Sequence, residues 1–157
     1  MELKRAEAMA TAIIARLSPY CRAERIKAVG SIRRKAELVN DIDLVMVPSD
    51  PWKLYAELKS MGEMKADGDK SKRLIINGAQ VDIYFATEET WATLLLIRTG
   101  SKENNIRLAT RAKKMGWQLK ANGEGLIDQD GRRLAGNTEQ SIFEALGIPY
   151  QPPERRG

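Results

Sequence analysis

Three aspartates carry most of the chemistry this sequence could do. Asp41 and Asp43 stand in N-D-I-D-L-V-M-V (residues 40–47), and Asp82 stands in V-D-I-Y-F (residues 81–85). Along a strand, residues i and i+2 share a face. Asp41 and Asp43 therefore point one way while Ile42, Leu44 and Met46 point the other. Asp82 opposes Val81, Ile83 and Phe85 in the same manner. Pairing the two strands would gather three carboxylates, and such a cluster cannot stay ionised at neutral pH without cations. The chain contains no histidine and a single cysteine, Cys21. That excludes His-ligated metals, Ser-His-Asp triads, imidazole acid–base chemistry and an internal disulfide. Carboxylate oxygens favour hard cations, so Mg²⁺, with Mn²⁺ as a substitute, is the natural partner.

Just upstream lies G-S-I-R-R (residues 30–34). A strand, a Gly-Ser step and a helix start would put backbone N–H groups and a hydroxyl where a phosphate can bind. Arg33 and Arg34 could add bidentate contacts. A phosphate cradle placed shortly before paired carboxylates suits two-metal phosphoryl transfer. Each piece alone has a plainer explanation. A D-x-D at a strand edge is more often a turn or cap, a Gly-Ser step is usually a connection, and a lone Asp in a hairpin is usually solvated. Order and spacing together favour the chemistry.

The elements that must position these residues follow from the pattern. Leu3, Ala6, Met9, Ala10, Ile13, Ile14 and Leu17 fall at helical spacing, and Ser18-Pro19 ends that helix. A short strand is expected over 25–29, a short charged helix over 32–39, and a strand over 42–47. Asp50-Pro51 caps a helix running to Met61. Asn77-Gly78 joins strands 73–76 and 80–85 into a hairpin. A helix over 88–97 turns Trp91, Leu94, Leu95 and Ile97 inward. Thr99-Gly100-Ser101 breaks it, and Ser101 caps a basic helix to about Met115. Short strands are expected at 117–119 and 126–127, an Asp130-Gly131 turn after them, and a Thr138-capped helix over 139–146. The tail P-Y-Q-P-P-E-R-R-G reads as irregular and open to disorder. The fold class is α+β: a small mixed sheet backed by helices over residues 1–87, followed by a small α/β unit over residues 88–157.

The 157 residues carry a net charge of +5, with 43% apolar and 30% charged residues. This marks a soluble globular chain with a mild leaning towards a polyanionic partner. No apolar run approaches a membrane span and the N-terminus lacks a signal-peptide core. Together with the cysteine count, this points to the cytoplasm.

The motif set resembles a known pattern. G-S-x-R-R, D-I-D in a strand and a third Asp in V-D-I resemble the nucleotidyltransferase superfamily. T-G-S-K-E-N-N (99–105), an arginine-bearing helix, G-L-I, T-E-Q-S-I-F-E-A-L-G-I-P-Y (138–150) and P-P-E-R-R (152–156) narrow the likeness. They resemble the palm and thumb of the family X DNA polymerases, of which polymerase beta is the familiar member. The resemblance runs from about residue 26 onward, and its distinctive part is the T-G-S segment with the final T-E…L-G-I-P-Y-x-P-P-E.

The resemblance implies an enzyme: a minimal DNA-directed DNA polymerase filling gaps in DNA repair. It would add dNMP from dNTP to a primer 3′-hydroxyl, releasing pyrophosphate. Asp41 and Asp43 would bind two Mg²⁺ ions, with Asp82 on the catalytic one. Gly30, Ser31 and Arg34 would hold the β- and γ-phosphates. Thr99 and Gly100 would lie beside the sugar, and Asn105 at the minor-groove edge of the incoming base. Arg107, Arg111 and Lys102 would face DNA, the partner being a primer-template or gapped DNA bound by a monomer.

Departures from the family pattern are specific. Ile97-Arg98 replaces the usual aromatic pair before T-G-S, which bears on ribonucleotide exclusion. Gln80 replaces the basic residue often found two places before the third Asp. Nothing resembles the lyase, helix-hairpin-helix or exonuclease regions of larger relatives, so no lyase activity is expected.

Two other readings compete. One is a template-independent nucleotidyltransferase acting on RNA ends, a small molecule or a protein. The other is an idle DNA-end binding module, against which the three intact carboxylates argue. Arg132-Arg133 reads as plain surface, Trp52, Trp91 and Trp117 as core, and Cys21 as a small buried residue without redox work.

Overall fold

A central strand explains why N-D-I-D-L-V-M-V is so apolar. In the computed structural model, which describes residues 1–157, β2 (Ile42–Pro48) lies between β1 (Cys21–Ala28) and β5 (Ala79–Phe85). A strand covered on both faces needs apolar side chains on both. Ile42, Leu44 and Met46 face α1 (Leu3–Leu17) and α3 (Pro51–Met61), packing with Ala6, Ala10, Ile13, Leu17, Leu54 and Leu58. Val45 and Val47 face the other way, against Trp91, Leu94 and Leu95 of α4 (Trp91–Thr99). Asp43 shares this second face, at the end that α4 leaves open.

The sheet has five strands in the order β1-β2-β5-β4-β3, completed by β4 (Ser71–Ile76) and β3 (Glu63–Asp67). β2 pairs parallel with β5, and the other pairs are antiparallel. The Asn77-Gly78 step, with φ of 49° and 81°, turns β4 into β5 as the dipeptide predicts. Asp50 accepts a hydrogen bond from Lys53 N at 3.2 Å and caps α3, with Pro51 at its first position.

The second half has its own small core. Leu96, Leu108, Ala112, Leu126, Ile142, Phe143 and Leu146 pack together. They come from α4, α5 (Lys102–Lys114), α6 (Glu139–Ala145) with its C-cap, and a three-stranded sheet of β6 (Gln118–Lys120), β7 (Gly125–Ile127) and β8 (Arg133–Ala135). α4 serves both cores: Leu94 and Leu95 face the large sheet, and Leu96 the small one. Ser101 and Thr138 accept backbone N–H bonds from Asn104 and Ser141, as their cap positions predict. No helix is long and apolar enough to cross a membrane.

Several expectations are corrected. The helix expected over 32–39 is one short turn, α2 (Gly30–Arg33). Lys35 takes φ of 60°, which ends it, and Leu38 instead bridges Glu2 as an isolated β-pair. β3 and β8 are additional strands, both short and with mostly exposed residues, so no periodicity announced them. The strand expected at 25–29 begins earlier, at Cys21, and an irregular register between Cys21 and Ile26 obscures its alternation. Trp52 is not core: it is 87% exposed. The C-terminal tail is anchored rather than loose. Pro153–Arg155 forms a 3₁₀ turn and Arg156 is 1% exposed, its side chain held in the protein.

Candidate active site

The β2–β5 pairing fixes the first part of the site. Its register sets Asp43 directly beside Asp82. Asp41 precedes the strand at a bend and lines the same cleft as Asp43. The cleft, of about 580 Å³, is also lined by Gly30, Ser31, Arg34, Tyr84, Arg98, Gly100, Lys102 and Asn105. Residues from both halves of the chain therefore meet around Asp41 and Asp43.

Gly30 is required where it stands. Its φ is +60°, and a Cβ there would come 2.3 Å from Asp43 Oδ2. Only glycine lets the Gly-Ser turn approach the carboxylate this closely. Val29 N donates to Asp43 O at 2.8 Å and locks the turn onto β2.

The electrostatics of the cleft are unbalanced. Burial first, then the charges of Asp82 and Asp41, push the Asp43 carboxyl up to about 6, with Arg98 and Arg34 opposing them only in part. No ion pair reaches Asp41 or Asp43. Asp82 differs. Arg73 lies opposite it across the β4–β5 pair and donates from Nε to Oδ1 at 2.8 Å, while Gln80 Nε2 donates to Oδ2 at 3.1 Å. As a result, three acidic side chains do not converge into a ready-made cation cage. Of the expected three-carboxylate cluster, Asp43 and Asp82 are neighbours in register, but Asp82 is turned to an arginine and does not line the cleft with Asp41 and Asp43. The donor set still fits a hard divalent ion: all ligating atoms are carboxylate oxygens, and Asp43 carries a charge its surroundings do not neutralise.

The two arginines of G-S-I-R-R divide. Arg34 lines the cleft and donates from Nη1 to Thr99 O. Arg33, expected beside it at a phosphate, is committed elsewhere. It grips Glu139 with two hydrogen bonds of 2.9 and 2.6 Å and donates to Thr99 Oγ1 at 2.8 Å. Arg156 Nη1 donates to the same Glu139 at 2.7 Å. Burial pushes the Glu139 carboxyl up, but the hydrogen bonds and charges of the two arginines outweigh it and hold the group below its usual range. This network ties α2 to α6 and to the chain's last residues. Four-residue α2 puts consecutive arginines on different sides, which sequence order alone did not reveal.

Of the T-G-S segment, only Gly100 lines the cleft. Thr99 is buried and Gly100 has φ of +67°. Asn105 lines the cleft, with its Nδ2 donating to Ile97 O at 2.8 Å and its buried Oδ1 without a partner. Arg98, which residue spacing did not place at the site, stacks on the Tyr84 ring at 4.0 Å and lines the cleft. The expected DNA-facing set is split. Lys102 lines the cleft. Arg107 bonds Asn104 and Gln151, and Arg111 Nε donates to Leu146 O at 2.9 Å, satisfying the end of α6.

Comparison with known proteins agrees with this architecture. The family model for the DNA polymerase beta thumb matches residues 94–157. The DNA polymerase/3′-5′ exonuclease PolX of Bacillus subtilis is 29% identical over 146 residues, covering 89% of this chain and 25% of that protein. The chain thus spans about a quarter of the Bacillus relative's length. Repair DNA polymerase X of African swine fever virus is 29% identical over 144 residues, covering 85% of this chain and 82% of that protein. The crystal structure of Leishmania infantum polymerase beta in a ternary complex superposes over 100% of this chain and 76% of that one, with a TM-score of 0.85 at 19% identity. With its second half matched by the polymerase beta thumb model and most of its length aligned with two polymerase X proteins, the chain is similar to the family X DNA polymerases.

Proposed function

We propose that this chain is a DNA-directed DNA polymerase of the repair type, adding dNMP from dNTP to a primer 3′-hydroxyl. The observation that carries the reading is the register of Asp43 against Asp82, with Asp43 in a cleft shared with Asp41, Ser31, Arg34, Gly100 and Asn105. Residues 1–87 form the palm and residues 88–157 the thumb. The protein works as a monomer in the cytoplasm on gapped or primer-template DNA, and no lyase step is assigned to these residues.

Asp41, Asp43 and Asp82 would hold two Mg²⁺ ions. When bound, these would supply Lewis-acid activation of the attacking hydroxyl and neutralise charge on the leaving pyrophosphate. The chain's own residues do the rest. Gly30 and Ser31 offer backbone N–H groups and a hydroxyl to the β- and γ-phosphates, and Arg34 adds a guanidinium to them. Thr99 and Gly100 flank the sugar. Asn105 reads the minor-groove edge of the incoming base after leaving the Ile97 carbonyl. Lys102 and Arg107 would face the DNA, while Arg111 holds the end of α6.

The test is primer extension on a one-nucleotide gap with each dNTP and rNTP offered separately. Insertion that follows the template base supports the reading. Equal use of all four nucleotides would move the assignment to a template-independent nucleotidyltransferase. DNA binding without insertion, with either Mg²⁺ or Mn²⁺, would make the chain a binding module.

A further inference from the structure

Arg73 stands outside every role assigned so far. It lies on β4, directly opposite Asp82, and is about half exposed (52%) while Asp82 is nearly buried. Its Nε bonds one Asp82 oxygen and the Gln80 amide bonds the other. Both oxygens of one carboxylate are thus occupied by donors, whereas Asp41 and Asp43 have none among the protein's ion pairs.

A carboxylate with both oxygens hydrogen-bonded is a poorer cation ligand than a free one, because each bond must be lost or shared. A guanidinium is also a positive charge beside the place a cation would take, and like charges oppose each other there. Without some counter-charge, however, Asp82 would repel Asp43 beside it and the nearby Asp41, straining the β2–β5 register. An arginine reaching in from solvent satisfies both needs. It neutralises Asp82 when the cleft is empty, and its exposed stem can swing out when a divalent ion arrives.

We propose that Arg73 is a built-in counter-cation for Asp82, competing with the divalent ion for that carboxylate and acting as a positioning residue for metal loading. The inference rests on the polymerase reading for the identity of the ligands, and on the Arg73–Asp82 ion pair for itself. Loading of Asp82 is then an exchange of one cation for another. Asp41 and Asp43, which need no such exchange, take their cation more readily.

The test is Mn²⁺ binding to the intact protein without DNA or nucleotide, followed by electron paramagnetic resonance of the free ion. Arg73→Gln should bind Mn²⁺ tighter than the wild-type protein, by about three- to tenfold for the loss of one half-exposed competing charge. In an Asp82→Asn background the same change should have no effect, because the competition has lost its object. A merely structural role predicts the opposite sign, since a damaged site binds more weakly. Unchanged or weaker binding in Arg73→Gln would overturn the inference.

A second measurement needs no variant to fold. The side-chain Nε–H resonance of Arg73 in the wild-type protein should shift on addition of Mg²⁺. A resonance unmoved at saturating Mg²⁺ would also overturn it. Template-directed insertion with no Arg73 effect would defeat this inference alone. A wild-type protein that neither binds Mn²⁺ nor inserts nucleotides would defeat the polymerase reading and this inference together.

Discussion

Asp43 and Asp82 are direct neighbours across the parallel β2–β5 pair, yet only Asp82 has a cationic partner. The sheet therefore holds one buried, arginine-paired carboxylate beside one that is half-buried, repelled and raised to about 6. That asymmetry makes stability and chemistry separable.

Removing the Asp43 charge should stabilise the metal-free protein. A carboxyl whose folded pKa is raised binds its proton more tightly folded than unfolded, so stability falls as pH rises from about 4 through about 6. Above that window the ionised group costs roughly 1–3 kcal/mol. Asp43→Asn should accordingly raise the urea midpoint at pH 7.5 and give little advantage at pH 4, while abolishing nucleotide insertion. A pH-independent difference in midpoint would contradict the assignment of that cost to the Asp43 charge.

Gly30→Ala tests the close approach. The new methyl would meet Asp43 Oδ2 and sit on a backbone with φ of +60°. Strain of order 1–3 kcal/mol is expected in chemical denaturation, with insertion reduced by about 100-fold or more through displacement of Asp43. Wild-type insertion rates in this variant would show that the turn has slack that its geometry does not suggest.

Glu139→Ala should be among the most destabilising single changes. It leaves buried Arg156 and half-buried Arg33 without their shared counter-ion, a situation that costs about 3–5 kcal/mol. Urea unfolding followed by tryptophan fluorescence would measure it. Arg156→Ala, which keeps the Arg33–Glu139 pair, should lose less.

Two basic residues of α5 should behave differently on DNA. Lys102→Ala should weaken binding to gapped DNA and lower the salt slope by about one, with stability unchanged within about 0.5 kcal/mol. Arg111→Ala should instead cost about 1–2 kcal/mol of stability, because the Leu146 carbonyl loses its donor. Paired salt titrations and thermal melts on both variants distinguish the two roles.

Much of this architecture was legible in residue order because local rules sufficed. Asp50-Pro51, Asn77-Gly78, Ser101 and Thr138 each act on neighbours three or four residues away, and each does so as predicted. The same-face placement of Asp43 and Asp82 follows from strand alternation once the two strands pair. What stayed hidden depends on register and on distant contacts. Gln80 read as a missing basic residue, but a basic side chain reaches Asp82 from the neighbouring strand, a pairing that no spacing within V-D-I-Y-F reveals. Arg33 and Arg34 looked equivalent, and only the position of Glu139 separates them. Arg156 read as part of a loose tail because a buried arginine is unrecognisable without its carboxylate. Trp52 read as core because composition cannot say which face of α3 it occupies.

The strand order carries a kinetic consequence. β4 and β5 form a local hairpin, but β5 must slide in beside β2, from which β3, β4 and α3 separate it in sequence. Non-local pairing of this kind is slow, because the chain closes a long loop before any contact rewards it. The two aspartates meet only at that step, so the cleft is completed by the least local pairing in the sheet, after the β4–β5 hairpin can already hold Asp82 against Arg73.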